Sequence, residues 1–522
     1  MVDHVILDAM IQRADFAIDE GDNTAQDQIT TLSVESLGAT SMVTPLLRKP
    51  DFQRETNQWT PDQVVTFLES YAHGELIPSV ILWKSPSFLF VIDGGHRLSA
   101  LRAWIEDDYG DGTVSTKFYA NAISVEQRRL ADRARQLVNS RVGSYKALRD
   151  ALLHQDKYPP DTVQRARNVA TKQLQLQWVI GDAKKAETSF FKINTQGTPL
   201  DPIEERLLLN RKRPIAIAAR SIVRAGTGHK YWSDFPPDCV AEIEQLAEKL
   251  HALLFKPELA EPIKSLNLPL AGRASPIGAL DLLMKLISIT HSSQQLRRPG
   301  MEDFPEDSDG SGTVSVLKKS FNVLRRVTGD DEASLGLHPA VYFYTDRGRH
   351  SADLFLGIVQ LFATKLSNND RVFFKKFTES RSEMERILIK NKPLIGALLQ
   401  SIGSRQRVDK IEGMFDSMVN QVNDGKKITE KIVIDVVGPS NMAKILTVTE
   451  PPAGPTFTRE TRSAIYLRDS VSSAMKCPIC KGLLEPSKAA SFDHIERKSE
   501  GGKGSASNGQ ITHPYCNTGY KN

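Results

Sequence analysis

Cysteine is scarce in this chain: four residues among 522, three of them from position 477 onward and only Cys239 upstream. That usage excludes a disulfide framework and fits a reducing compartment, so the expected location is cytoplasmic. Long apolar runs are also missing. No stretch of about eighteen or more apolar residues occurs, so no membrane-spanning helix is expected. The opening MVDHVILDAMIQRADF carries acids early and has no uninterrupted apolar core, so it does not read as a secretory signal. An excess of one charge sign is lacking too: 67 Lys and Arg face 63 Asp and Glu. From Arg459 to the end, however, ten basic residues face six acidic ones. This tail carries the whole net charge of +4, which suits an approach to phosphates without amounting to a polybasic arm.

What remains is ordinary globular composition, 40% hydrophobic and 25% charged, with length for about three domains. The expected fold class is α+β, divided at 1–230, 231–449, a linker with lead-in helix at 450–470, and 471–522.

The most informative stretch is the last one. Cys477 and Cys480 form a C-x-x-C knuckle, and His513 and Cys516 an H-x-x-C knuckle. Four soft or borderline donors in two close pairs suit a structural, tetrahedral zinc ion. Between the knuckles lie Asp493-His494, a Gly-rich turn and Asn508; just after them comes Asn517. A purely structural zinc ribbon would account for the four ligands alone. The D-H, G-G, N and C-N-x-x-x-K order goes further and resembles the HNH (ββα-metal) endonucleases. That resemblance implies a β-hairpin carrying the D-H pair, followed by a helix, around one catalytic magnesium or manganese. His494 would be the general base, Asp493 and Asn517 would hold the cation, and Asn508 would orient the His494 ring. Asn517 stands where the family often has His, and His513 where the second knuckle usually has Cys.

The front of the chain opens with apolar residues at helical spacing over Val5 to Ile18. Then LLRKPDFQRETNQWT brings Gln53-Arg54, and Thr60-Pro61-Asp62 predicts a capped helix start. Two strands, SVILWK and FLFVID, lead into DGGHRLSALRAW. Strand, Gly-Gly turn and helix start are a phosphate-binding geometry in principle, because free N–H groups point outward and glycines admit the anion. Most such turns merely reverse the chain. QLQLQWVI alternates as a half-buried strand, and the FFKINTQGTPLDP block reads as helix, turn, helix.

Together these segments resemble the ParB/sulfiredoxin-like N-terminal domain of GmrSD-type restriction proteins. In that family a Q-R pair and a D-G-Q-Q-R-L motif recur, and the second is tied to nucleotide binding and hydrolysis. Carried over, the nucleotide-binding residues would be Gln53, Arg54, Asp93, Gly94, Gly95, His96 and Arg97, with Gly95-His96 in place of Gln-Gln. Asn194 and Gly197 would return beside the pocket, a tight interhelix turn being the plainer reading of both.

From about Tyr231 to Ile445 the pattern is helical, with apolar residues three to four apart in VAEIEQLAEKLHALLF, IGALDLLMKLISIT, SVLKKSFNVLRRV, ADLFLGIVQLFATKL, KPLIGALLQSI and RVDKIEGMFDSMVNQV. Arg347, Arg349 and His350 could touch DNA or form a solvated loop. The combined expectation is a GmrSD-like restriction or anti-phage endonuclease. Its partner would be DNA, including modified phage DNA, with a nucleoside triphosphate as regulator, no membrane, and a homodimer where both strands are cut. A second class stays open: a ParB-like DNA-binding adaptor whose tail is a structural zinc module without cleavage. A homing-type nuclease needing no nucleotide is a third.

Overall fold

A computed structural model describes residues 4–14, 29–50, 59–121, 123–196, 202–227, 231–273, 276–293, 296–437 and 456–521. The chain divides into two compact units: residues 1–211 with 227–231, and residues 212–226 with 232–522.

The first unit is built on a six-stranded sheet in the order β1-β3-β5-β4-β6-β2. Its strands are β1 (Arg13–Ala14), β2 (Thr31–Ser33), β3 (Leu47–Pro50), β4 (Val80–Lys84), β5 (Leu89–Asp93) and β6 (Gln173–Trp178). β1, β3 and β5 run parallel, so the chain leaves β3 and β5 at the same edge of the sheet. β4 and β5 form the expected antiparallel pair across the SPS turn. The sheet is covered on both faces. Val91 of β5 with Val80 and Leu82 of β4 faces one core, which includes Leu68, Tyr71, Leu98 and Leu101. Phe90 and Ile92 with Trp83 face a smaller one against Ala183, Ala186 and Phe190. In β6, Leu174 and Leu176 point inward as the alternation predicts.

Helix Pro61–Ala72 starts at Thr60 through a reciprocal capping box: Gln63 N–H donates to Thr60 Oγ1 at 3.2 Å, and Gln63 Oε1 accepts from Thr60 N–H at 2.9 Å. The helix expected over Val5 to Ile18 is not formed in its described part, which holds a 3-10 turn, Asp8–Met10, and then β1. The reason is electrostatic and topological. Asp8 is buried and ion-paired with both Arg13 and Lys49, the latter at 2.7 Å, which ties this segment to β3 rather than to itself.

Among its described residues the second unit is mainly helical up to residue 472, and it ends in a small hairpin domain. All six helices expected in the middle are present. Helix Ala352–Ser367 packs closely along Ser404–Asn423, because a side chain at Gly357 would collide with Ile411. A further long helix, Arg371–Lys390, buries Phe373, Phe374, Phe377, Met384, Ile387 and Leu388. Pro214–Val223, placed by the sequence reading at the end of the front domain, belongs to this unit. Among the described residues no helix is long and apolar enough to cross a membrane.

Candidate active site

The terminal domain is assembled on a chelating knuckle. Cys477 N–H donates to the Gly482 carbonyl and Lys481 N–H to the Cys477 carbonyl, both at 2.9 Å, and Lys481 takes φ +59° to close the turn. This loop aims Cys477 and Cys480 at His513 and Cys516. The four donor atoms lie within 4.8 Å of one another, and all four residues are buried. His513 Nε2 meets the Leu483 carbonyl at 3.0 Å, which leaves Nδ1 facing Cys480 Sγ at 3.3 Å and Cys516 Sγ at 3.9 Å. A ring fixed by its second nitrogen is the usual arrangement of a metal-ligating histidine.

At Cys477 and His513 the electrostatics agree with that role, while Cys480 and Cys516 are raised by sharing hydrogen bonds with the Cys477 thiolate. Hydrogen bonds from the Cys480 and Cys516 thiols push the Cys477 pKa far below the ordinary thiol range. The hydrogen bond to Cys477 raises Cys480 to about 11. Burial, then the Arg381 charge, lowers the His513 pKa and keeps its ring neutral, the form that binds metal. Three sulfurs and one imidazole nitrogen this close fit a closed tetrahedral zinc site.

Beyond the knuckle, β7 (Ser491–His494) and β8 (Gly509–Thr512) form an antiparallel hairpin with Asp493 opposite Gln510 and His494 opposite Gly509. One turn of π-helix, Cys516–Tyr520, follows. Asp493 is 5% exposed. Both its carboxylate oxygens accept from Lys521 Nζ at 2.9 Å, and Oδ2 also accepts from Gln510 Nε2 at 2.8 Å. Lys521 Nζ further donates to the His494 carbonyl at 2.7 Å. An ammonium therefore sits on this carboxylate as a cation would, which is the donor chemistry a hard divalent ion requires. The His494 ring has no hydrogen-bond partner among the described residues and is half-buried. Asn517 sits at the start of the π-turn and donates to Ser491 Oγ at 2.8 Å and to the Phe492 carbonyl at 3.3 Å, beside the strand that carries Asp493.

Asn508 departs from its expected role. Its Oδ1 accepts from Glu496 N–H at 2.7 Å, and its Nδ2 donates to the carbonyls of Glu496 at 3.1 Å and Lys503 at 2.9 Å. These are backbone groups of the loop between β7 and β8. The side chain fastens that loop rather than the imidazole, because a short amide satisfies unpaired backbone groups nearest to it.

The hairpin domain is seated on the helices of its own unit by buried polar groups. Arg381 Nε donates to Glu385 Oε1 at 2.7 Å, with side chains 1% and 3% exposed. Its other nitrogens reach the carbonyls of Leu335, of Gly336 at 2.8 Å and of Leu483 at 3.4 Å. Glu385 in turn accepts from Leu483 N–H and from the Tyr342 hydroxyl at 3.1 Å. Tyr515 N–H donates to the Ser334 carbonyl at 2.9 Å, and Thr518 Oγ1 to that of Glu332 at 2.7 Å. Gly336, at φ +56°, leaves room for the metal ligand: a Cβ there would stand 2.9 Å from His513 Cδ2.

At the front, β5 ends at Asp93, and Gly94 turns at φ +99° where a Cβ would stand 2.9 Å from Val80 Cγ2. Helix Gly95–Glu106 follows with no side-chain cap on its first amides. Arg97 is engaged by Asp93 at 2.5 Å and by the Pro78 carbonyl at 2.7 Å, and His96 stacks on Trp59 at 5.6 Å. Asn194 lies inside helix Ala183–Gln196 rather than in a turn. Gln53, Arg54 and Gly197 fall outside the described residues. His350, expected as a DNA contact or loop residue, is tied through Nε2 to the Leu270 carbonyl at 2.8 Å, and burial lowers its pKa to about 4. Arg349 pairs with Glu460 at 3.1 Å.

Lys521, Gln510, Arg381 and Glu385 were not singled out from sequence. Only Lys521 left a signal there, as the last letter of C-N-x-x-x-K.

Two family models match the chain. Residues 37–211 match the GmrSD restriction endonuclease N-terminal domain, and residues 477–522 match the HNH endonucleases. No curated protein and no solved structure matches. The chain thus joins the front domain of a restriction endonuclease to a nuclease domain with a metal-binding Cys/His cluster, and DNA is the substrate these domains imply.

Proposed function

We propose that this chain is a cytoplasmic, metal-dependent DNA endonuclease of a restriction or anti-phage system, cutting at the β7–β8 hairpin under control of a nucleotide or modified DNA sensed by the front domain. The observation that carries the reading is a buried carboxylate, Asp493, gripping a cationic group directly beside an imidazole, His494, that has no hydrogen-bond partner among the described residues.

Asp493 and Asn517 would hold magnesium or manganese. The bound ion supplies Lewis-acid stabilisation to the phosphate and the leaving oxygen. His494 takes a proton from the attacking water, the new P–O bond forms, and the opposite P–O bond breaks. Asn508 keeps the following loop in place, and Lys521 neutralises Asp493 between turnovers. The Cys477, Cys480, His513 and Cys516 zinc site is structural and holds the hairpin against the π-turn. One such hairpin cuts one strand, so a double-strand break calls for two copies of the chain.

For the front domain, the support is topological. β3, which Gln53 and Arg54 follow in the sequence, and β5, which the Gly94-Gly95 turn follows, are parallel and end at the same edge of the sheet. Ligands of open α/β sheets bind at such carboxyl ends, and uncapped first-turn amides favour a phosphate. Asp93, His96 and Arg97 would contribute to a pocket at this edge, and by the family resemblance Asn194 and Gly197 would belong to it.

The test is nicking of supercoiled plasmid and of modified and unmodified phage DNA in magnesium or manganese, with and without each nucleoside triphosphate. His494→Ala is expected to lower nicking by about 100-fold or more. Absence of metal-dependent cutting by the wild-type chain, with zinc still bound through Cys477 and Cys480, would establish the adaptor reading instead.

A further inference from the structure

Phe492 is 79% exposed and Ile495 58% exposed, on either side of the Asp493-His494 pair. Isolated apolar residues on a surface are common and need no explanation. Here the placement is specific. Side chains alternate along a strand, so Asp493 turns inward with Gln510 and Thr512, while Phe492 shares the outward face with His494. The residue opposite His494 is Gly509, which adds no side chain to that face. Among the described residues the Phe492 ring has no aromatic or cationic partner, and its strand is anchored from behind by Asn517 through Ser491. A bare ring therefore stands two residues from the proposed general base, on a rigid support.

Charge identifies the occupant. The segment from Arg459 onward carries ten basic and six acidic residues, and the remainder of the chain is balanced. An apolar ring on a net-positive segment matches nucleic acid, whose bases offer stacking faces beneath a phosphate backbone. Aromatic and aliphatic side chains at such positions act as wedges that part a base step and kink the duplex.

We infer that Phe492 is a DNA wedge: it inserts against a base step next to the cut and directs the enzyme to steps that unstack readily, such as mismatches and flexible pyrimidine–purine steps. This rests on the endonuclease reading, and it sets substrate preference within it. His494, on the same face, then meets the phosphate flanking the parted step.

The test measures binding without cutting, in the full-length chain carrying His494→Ala, zinc-loaded and with no divalent cation added. Two 30-base-pair duplexes are compared, identical except for one central mismatch, each with 2-aminopurine beside the centre. The Phe492-bearing chain is expected to bind the mismatched duplex about 10-fold more tightly and to raise 2-aminopurine fluorescence. Adding Phe492→Ala should remove both effects at unchanged zinc content, and Phe492→Trp should retain them. Equal affinities for the two duplexes, or a preference that survives Phe492→Ala, would overturn the inference. So would a Phe492→Ala chain that loses self-association in sedimentation while keeping its DNA preference, since a second copy would then be what covers the ring. Failure of the endonuclease reading is seen separately, in plasmid nicking by the unmutated chain.

Discussion

Replacing Arg381 by Met should loosen the terminal domain far more than any surface substitution. The guanidinium is fully enclosed and contributes four contacts: one to Glu385 and three to the carbonyls of Leu335, Gly336 and Leu483. Arg381→Met leaves the Glu385 carboxylate buried with only the Leu483 N–H and the Tyr342 hydroxyl as donors. Removing one partner of a buried pair typically costs about 3–5 kcal/mol, because the other charge stays desolvated. At 1.4 kcal/mol per factor of ten, this corresponds to roughly a hundredfold to a few thousandfold more frequent opening. The Leu483 amide reports it directly, since its hydrogen is held by Glu385. Hydrogen exchange followed by mass spectrometry over residues 480–485 should accelerate by that factor, and zinc transfer to a chelator should accelerate with it. Exchange reads local opening and needs no two-state assumption for a chain of two units. The double change Arg381→Met/Glu385→Leu should lie closer to wild type than Arg381→Met alone. A change below about 1 kcal/mol, the size expected of an exposed pair, would refute the reasoning.

Three further outcomes follow from the same geometry. Lys521→Met removes the ammonium from Asp493, so the magnesium or manganese concentration that half-saturates plasmid nicking should fall; a rise would show that Lys521 does not compete with the ion. Asn508→Ala should cost about 1–3 kcal/mol of loop stability from its lost backbone hydrogen bonds, seen as faster exchange over residues 496–503. A fall in kcat with no change in that loop would restore the ring-orienting role instead. His338 is fully buried, and burial, then the Lys392 and Arg381 charges, lowers its pKa to about 3. Below the ordinary value of 6.5 the unfolded chain takes up a proton that the folded chain refuses. Stability is therefore lost as pH falls from about 6.5 towards 3, by at most about 1.4 kcal/mol per pH unit. His338→Leu should flatten that slope in denaturant titrations.

The legible parts of the sequence were those whose chemistry is local. The C-x-x-C and H-x-x-C pairs, the strand ending at Asp93 and the capped helix start at Thr60 each involve residues a few positions apart, and each appears in the structure. What sequence did not reveal depends on distant partners. The Val5 to Ile18 stretch has helical spacing, but Asp8 is claimed by Lys49 on another strand. Helix Arg371–Lys390 has apolar residues at three-to-four spacing, yet Arg381 and Glu385 in its middle look like an ordinary exposed i,i+4 pair. Only the docking of Leu483 against them makes the pair interior. Asn508 illustrates the same limit at the site itself: the family resemblance implied a ring contact, while its amide is bonded to the backbone of the intervening loop.

The Leu483 peptide links two things that sequence treats as separate. Its carbonyl accepts from His513, a metal ligand, and from Arg381; its N–H donates to Glu385. The Cys/His cluster and the buried ion pair therefore hold the same backbone from opposite sides. Groups that share a partner do not contribute independently, so their losses should not add. With Cys480→Ala already removing one of the four cluster donors, the knuckle is open and Arg381→Met has little left to release. The exchange rate over residues 480–485 in the double variant should thus fall well short of the product of the two single effects. Full additivity would mean that the knuckle and the helix stabilise different structures, and the hairpin would then be a tethered appendage rather than part of the helical unit.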